Sequence, residues 1–217
     1  MTGDLTVIMP VFNCERWIGA AIDSVLAGAD GLLELIVVND GSTDASAEIA
    51  RRYGEPVRVI DQENRGHAGA RNTGLAAARG ELVGWLDADD LWAAGIPDPR
   101  RAVLTDDIDV VLARVQPVAG DPPVPVGDTL PGVQLGSMLA RRTALERLGG
   151  VDDTYDCADD LDLVLRMRDG GTRVATIDDV TALYRQRAGS ITRDRELTER
   201  EIVRAIHASI VRRGAQA

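Results

Sequence analysis

Three polar clusters hold the groups that could do chemistry in this chain. Asp87-Ala88-Asp89-Asp90 follows directly on the apolar run Leu82 to Leu86. Two carboxylates one residue apart at a strand end can face a single point, and a hard cation such as Mg²⁺ or Mn²⁺ takes a few carboxylate oxygens together with phosphate oxygens. Alone, the same residues also read as a solvated acidic turn that caps the next helix. Shortly upstream, Asn64-Arg65-Gly66-His67-Ala68-Gly69-Ala70-Arg71-Asn72 places two arginines and flexible glycines where a helix start and a fixed guanidinium can hold an anion. Beside a carboxylate-bound cation, these arginines make a site for a diphosphate. The third cluster runs from Asp152 to Asp162 and leads into a helix with Leu161, Val164 and Leu165 on its apolar side. Crowded carboxylates repel one another and raise some of their pKa values, which suits a general base. The alternative is negative charge favouring a helix N-terminus, worth only ~0.3–1 kcal/mol.

The elements that position these clusters alternate. Leu5 to Met9 is a short apolar strand stopped by Pro10; Asn13 then caps a helix whose apolar face is Trp17, Ile18, Ala21, Ile22, Val25 and Leu26, ending at Gly28. Leu35 to Val38 is a second strand, and Gly41 to Asp44 turns it into a helix that closes at Gly54. Val57 to Ile60, a helix from Ala68 to Ala78 closed by Gly80, and a strand from Glu81 to Leu86 follow. Apolar strands separated by helical patterns predict an α/β fold, a mostly parallel sheet with helices on both faces, and ligands in such sheets bind beyond the carboxyl ends of the strands. Asn13 to Arg16, Asn39 to Asp44 and Asp87 to Asp90 all fall there. Residues 115–133, rich in proline and glycine, read as a loop over the site. Thr198 to Glu201 reads as a capping box that opens an amphipathic helix over 198–217, with Ile202, Val203, Ile206 and Ile210 at helical spacing.

Composition narrows the chemistry. At 217 residues and 45% hydrophobic content the chain suits one domain with a sizeable core. A net charge of -11 argues against nucleic acid as a partner. Every basic residue is arginine, which excludes lysine Schiff bases and the lysine of a P-loop. Cys14 and Cys157 lie far apart, giving no zinc framework and fitting a reducing compartment as ordinary thiols. The start of the chain has neither a charged leader nor a cleavable apolar stretch, and no segment approaches the ~20 apolar residues of a membrane span. The expectation is a cytoplasmic protein.

The strings VIMPVFN, ELIVVNDGSTDAS, NRGHAGARNTGLAAARG, WLDADD, GSMLARRTALERLGGVDD and ADDLDLVLRM, in this order from about residue 5 to 192, resemble the successive motifs of the family 2 inverting glycosyltransferases, which have the GT-A fold. The resemblance implies one GT-A domain over 1–197, its donor-binding half about 1–114 and its acceptor-side half about 115–197. It implies a nucleotide-diphosphate sugar donor, UDP-linked in first place, a Mn²⁺ or Mg²⁺ cofactor, and a soluble acceptor such as a peptide, small metabolite or glycan. By position, Pro10, Val11 and Asp40 match base-contacting residues, and Arg71 would touch base or phosphates. Asp87 matches the first acid of the DxD motif, near the ribose or the metal, and Asp89 the second, on the metal that bridges the diphosphate. Asp160 falls on the general base. The sequence departs from the family pattern at Phe12, usually tyrosine, at Asn39, often aspartate, and at Arg187, where a histidine that contacts metal or phosphate is common. Arginine cannot ligate a metal, so Arg187 would act on the diphosphate. His67 reads as loop surface and His207 as part of the tail helix. The rival reading from another class is a catalytically silent nucleotide-sugar-binding module. A nucleotidyltransferase would need a lysine-containing, glycine-rich signature that this chain lacks.

Overall fold

The computed structural model describes residues 4–93, 97–187 and 194–215. In chain order the elements are β1 (Leu5–Val11), α1 (Ile18–Gly28), β2 (Leu32–Asp40), α2 (Ser46–Arg51), β3 (Val57–Gln62), α3 (Gly66–Ala77), β4 (Leu82–Trp85), β5 (Leu91–Trp92), α4 (Pro99–Val103), β6 (Val110–Ala119), β7 (Val124–Pro125), β8 (Met138–Arg141), α5 (Arg142–Arg147), α6 (Asp159–Asp169), β9 (Val174–Arg185) and α7 (Arg195–Gly214). They build one sheet in the order β3-β2-β1-β4-β8-β6-β9-β5, with β7 attached to β6. β3, β2, β1 and β4 run parallel, as the alternating pattern predicts. β8 reverses direction between β4 and β6, and β6 and β9 pair in parallel again.

β1 is wholly buried, and its alternating side chains serve two cores. Leu5, Val7, Met9 and Val11 pack with Ile18, Ala21, Ile22 and Val25 of α1 on one face. Ile8 faces the other, with Ala68 and Leu75 of α3, Leu145 of α5, and Leu163 and Met167 of α6. Burying each large aliphatic side chain contributes about 1.5–3 kcal/mol. The approach of α3 depends on Gly74, since a Cβ there would lie 2.3 Å from Ile8 Cγ2.

Several local expectations are corrected. β1 does not stop at Pro10 but continues to Val11. Ile8 O accepts from Leu86 N, so the even-numbered residues of β1 turn their polar groups toward β4. That strand ends opposite Ile8, and the missing N–H of Pro10 therefore breaks no ladder bond. Asn13 does not cap α1, which starts at Ile18. It sits at φ 49, and its Oδ1 accepts from the Thr43 backbone N at 2.8 Å. Residues 115–119 are not loop: they complete β6, with Val115 and Val118 buried. Pro117 is tolerated because β8 has already left that strand, and its carbonyl accepts from Val126 N at 2.9 Å. On α6, Leu161, Val164 and Leu165 pack half-buried against the core as expected, and Leu163 and Met167 are buried beside them.

Thr198 does not open α7. Asp194 caps it, accepting from Leu197 N at 3.0 Å, and Thr198 lies within the first turn. Glu201 is buried instead of completing a capping box, and it accepts from Asp156 N. Polar contacts hold α7 to α6: Arg212 pairs with Asp162 and Asp169, and Arg168 donates to Ser209 at 2.8 Å. Ile202, Val203, Ile206 and Ile210 face outward. Residues 216–217 of the expected tail helix lie outside the described residues. Among the described residues, no helix is long and apolar enough to cross a membrane.

Candidate functional site

The loops that follow β1 and β2 are tied together. Cys14 N donates to Ser46 Oγ at 2.7 Å, Glu15 N to Asp44 Oδ2 at 3.0 Å, and Ala45 N to Glu15 Oε2 at 2.9 Å. They flank a cavity of about 500 Å³ at the carboxyl ends of β1, β2 and β4. Pro10, Val11, Asp40, Arg71, Asp87, Asp89, Asp160 and Arg187 all line it, so the fold brings every expected site residue to one place. Pro10, Val11 and the exposed Phe12 line the cavity together with Asp40. Asp40 is fixed there because its Oδ1 accepts from Gln62 Nε2 at 2.6 Å and from Arg65 N at 2.8 Å.

At the centre Arg71 reaches from α3 between two acids. Its Nη2 donates to Asp87 Oδ1 at 2.7 Å and its Nη1 to Asp159 Oδ2 at 2.6 Å. Burial lowers the pKa of this guanidinium, but Asp87 and Asp159 outweigh burial and raise it above its ordinary value. The other oxygen of Asp159 lies 2.9 Å from His67 Nε2. Burial would raise the Asp159 pKa; Arg71 and His67 outweigh that and keep it well below the ordinary carboxylate range. Among the described residues, Asp160, one residue on, has no such partner and accepts only from the Leu161 backbone N. Burial, followed by the charge of Asp159, pushes its pKa up to about 6, against a smaller opposing pull from Arg71. Two adjacent carboxylates thus differ: Asp159 is a fixed counter-ion, whereas the Asp160 pKa is raised toward neutrality.

The acids after β4 are held from β9. Arg185 N donates to Asp90 Oδ1 at 2.8 Å, Arg185 Nε to the Asp89 carbonyl at 3.0 Å, and Arg185 Nη1 to the Gly120 carbonyl at 2.6 Å. Burial, then Asp89 and Asp87, push the Asp90 pKa well above its ordinary value. Two residues further, Arg187 Nε donates to Asp89 Oδ2. Among the described residues, no three His, Cys, Asp or Glu side chains converge on one point. Asp89 and Asp87 offer hard oxygens to a cation that brings phosphate oxygens with it, the usual way Mg²⁺ is held, and no cage that would bind it alone. The residues therefore fit a cation that enters with a diphosphate.

Some of the site was not apparent in the sequence. His67 is not loop surface: it lies in the first turn of α3, lines the cavity and contacts Asp159. Gln134 and Leu135, which line the cavity, lay outside every motif, and Asp159 was visible only as one acid of a pair, without the partners that hold it. Both cysteines are free and line the cavity; burial and Asp89 push the Cys14 thiol up to about 12, so it stays protonated. Asp162, in contrast, faces away from the cavity and is paired to Arg166 at 2.6 Å and Arg212 at 3.3 Å.

This fold is shared with solved nucleotide-sugar enzymes of the GT-A type. S. aureus TarS 1–349 in complex with UDP-GlcNAc superposes with a TM-score of 0.80 at 19% identity over 96% of this chain and 66% of that one. The mannosyltransferase PcManGT from Pyrobaculum calidifontis, in complex with GDP-Man and Mn²⁺, gives 0.77 at 25% identity over 97% and 65%. Residues 6–130 match the model for Glycosyl transferase family 2, and the chain belongs to that family. Curated relatives include glycosyltransferase GlyA of Streptococcus pneumoniae, 44% identical over 89 residues, which is 40% of this chain and 13% of GlyA. The uncharacterized glycosyltransferase EpsJ of Bacillus subtilis is 45% identical over 89 residues, 40% of this chain and 26% of EpsJ. The similarity to these two curated relatives thus spans about a quarter of their length or less.

Proposed function

We propose that this chain transfers a sugar from a nucleotide-diphosphate donor, UDP-linked in first place, to an acceptor hydroxyl with inversion at the anomeric carbon. The observation that carries the reading is Asp160, a carboxylate with a pKa of about 6 in the same cavity as Asp40, Arg71, Asp87, Asp89 and Arg187. A sugar hydroxyl is a poor nucleophile, and Asp160 takes its proton as it attacks. Pro10, Val11 and Asp40 receive the base, Asp87 the ribose side, and Arg71 and Arg187 the phosphate charge that grows on departure of the nucleotide. Asp89, with Asp87, holds Mn²⁺ or Mg²⁺, which when bound neutralises the leaving diphosphate. The donor is served mainly by residues up to about 114 and the acceptor, a soluble peptide, metabolite or glycan, mainly by residues 115–197. The complexes of PcManGT with GDP-Man and Mn²⁺ and of TarS with UDP-GlcNAc support the donor class.

A panel of nucleotide sugars scored by nucleotide release, with and without Mn²⁺, tests the reading, and proton NMR of the product gives the anomeric configuration. Metal-stimulated release from one donor with an inverted product is expected. Tight UDP binding without turnover on any donor would identify a binding module instead.

A further inference from the structure

Arg187 stands against the carboxylate that a cation would use. Its Nε donates to Asp89 Oδ2, with the Arg187 side chain 38% and the Asp89 side chain 18% exposed. The frame around this pair is rigid. Arg185 binds the Asp89 carbonyl and the Asp90 carboxylate, and its guanidinium lies 4.2 Å from the ring of Trp17. Leu91 of β5 pairs with Leu183 of β9, which fixes the two backbones in register. Asp89 and Arg187 are therefore presented to each other by the fold, while the end of the Arg187 side chain remains partly open to the cavity. Arg71 differs: it is also paired with acids, but it is buried and tied to two of them at once.

The charges give this contact a role. Asp89 lies among acids, with Asp87 two residues before it and Asp90 next to it, and the Arg187 guanidinium contacts its carboxylate. Without a metal ion, the Arg187 guanidinium is the positive charge in contact with the Asp89 carboxylate. A guanidinium and a divalent cation repel each other, so both cannot sit on the same carboxylate oxygens unless new negative charge arrives. A diphosphate brings that charge, and its oxygens accept from a guanidinium in the bidentate way that a nucleoside cannot.

We propose that Arg187 is the resident counter-ion of Asp89, and that it yields this carboxylate to a divalent cation only when a diphosphate takes over its guanidinium. Cation and nucleotide then enter as a pair, and neither uridine nor the cation alone opens the site. The proposal rests on the donor reading above for the identity of the diphosphate.

Free Mn²⁺ measured by electron paramagnetic resonance during titration of the protein tests it without any turnover. Wild type should bind Mn²⁺ weakly, and UDP should tighten it by about 100-fold, with the reciprocal effect of Mn²⁺ on UDP. Arg187→Gln, and Arg187→Ala should that variant fold poorly, should bind Mn²⁺ about 10-fold more tightly than wild type in the absence of nucleotide. Adding Asp89→Asn should remove the gain. Nucleotide-free Mn²⁺ affinity that does not rise in either variant would overturn the proposal, as would wild-type affinity that is already tight without UDP. Failure of UDP to bind at all would refute the donor reading, while the nucleotide-free comparison would still decide the role of Arg187.

Discussion

The pH dependence of transfer follows from the environment of Asp160. Burial and the adjacent negative charge of Asp159 place its pKa at about 6, whereas an ordinary aspartate titrates near ~3.9. The base works only when ionised, so the sign is fixed: activity rises with pH through this value. At pH 5 only about one tenth of Asp160 would be ionised, against more than about nine tenths for an unperturbed aspartate. kcat/KM from nucleotide release, measured between pH 4.5 and 8 on a saturable donor, should therefore fall about 10-fold from its plateau at pH 5. Asp160→Asn is nearly isosteric and cannot accept the proton. It should lower transfer by a factor on the order of 10² or more, flatten the acid limb, and leave UDP affinity nearly unchanged. A wild-type limb with its midpoint below 5, or the same limb retained in the variant, would refute this reasoning.

Asp159→Asn should cost about 1–3 kcal/mol of stability in denaturant unfolding, because it removes one of the two carboxylates that pair with the buried Arg71; a loss under about 0.5 kcal/mol would mean that Asp87 alone suffices. Because the folded-state pKa of Asp159 is depressed, its contribution is present above pH ~4 and fades as pH falls through and below that value. The difference in melting temperature between wild type and this variant should therefore shrink in acid. Asp89→Ala should abolish the metal-dependent gain in UDP affinity seen by calorimetry, and an unchanged gain would remove Asp89 from the cation site. Arg187→Ala should weaken UDP more than uridine, by about 1.5–3 kcal/mol for a lost charge-assisted contact; equal small losses would make it a solvated charge. Gly74→Ala, which would drive a methyl group against Ile8, should lower the unfolding free energy by about 1–3 kcal/mol; a neutral change would show that α3 can shift.

What the sequence revealed and what it hid divide along physical lines. The parallel half of the sheet was legible because β1, β2 and β4 are buried on both faces and so read as unbroken apolar runs. The acids after β4 and the Asp159-Asp160 pair were legible as short local patterns. Strand β6 was hidden because proline signals a break locally, whereas the cost of Pro117 depends on which neighbour faces it, a property of the sheet. The division of labour between Asp159 and Asp160 was hidden for the same reason. It is set by Arg71 and His67, which lie 88 and 92 residues away in the chain. Arg187 was visible as an unusual residue, but its pairing with Asp89 depends on the register of β5 on β9.

Turnover by wild type and Asp160→Asn, compared on the same donor with Mn²⁺ and followed by nucleotide release, tests the central claim most directly. The account predicts sustained release by wild type and a loss on the order of 10² or more in the variant, with UDP binding equal in both. Equal release by the two proteins, or none by wild type on any nucleotide sugar despite tight UDP binding, would contradict it.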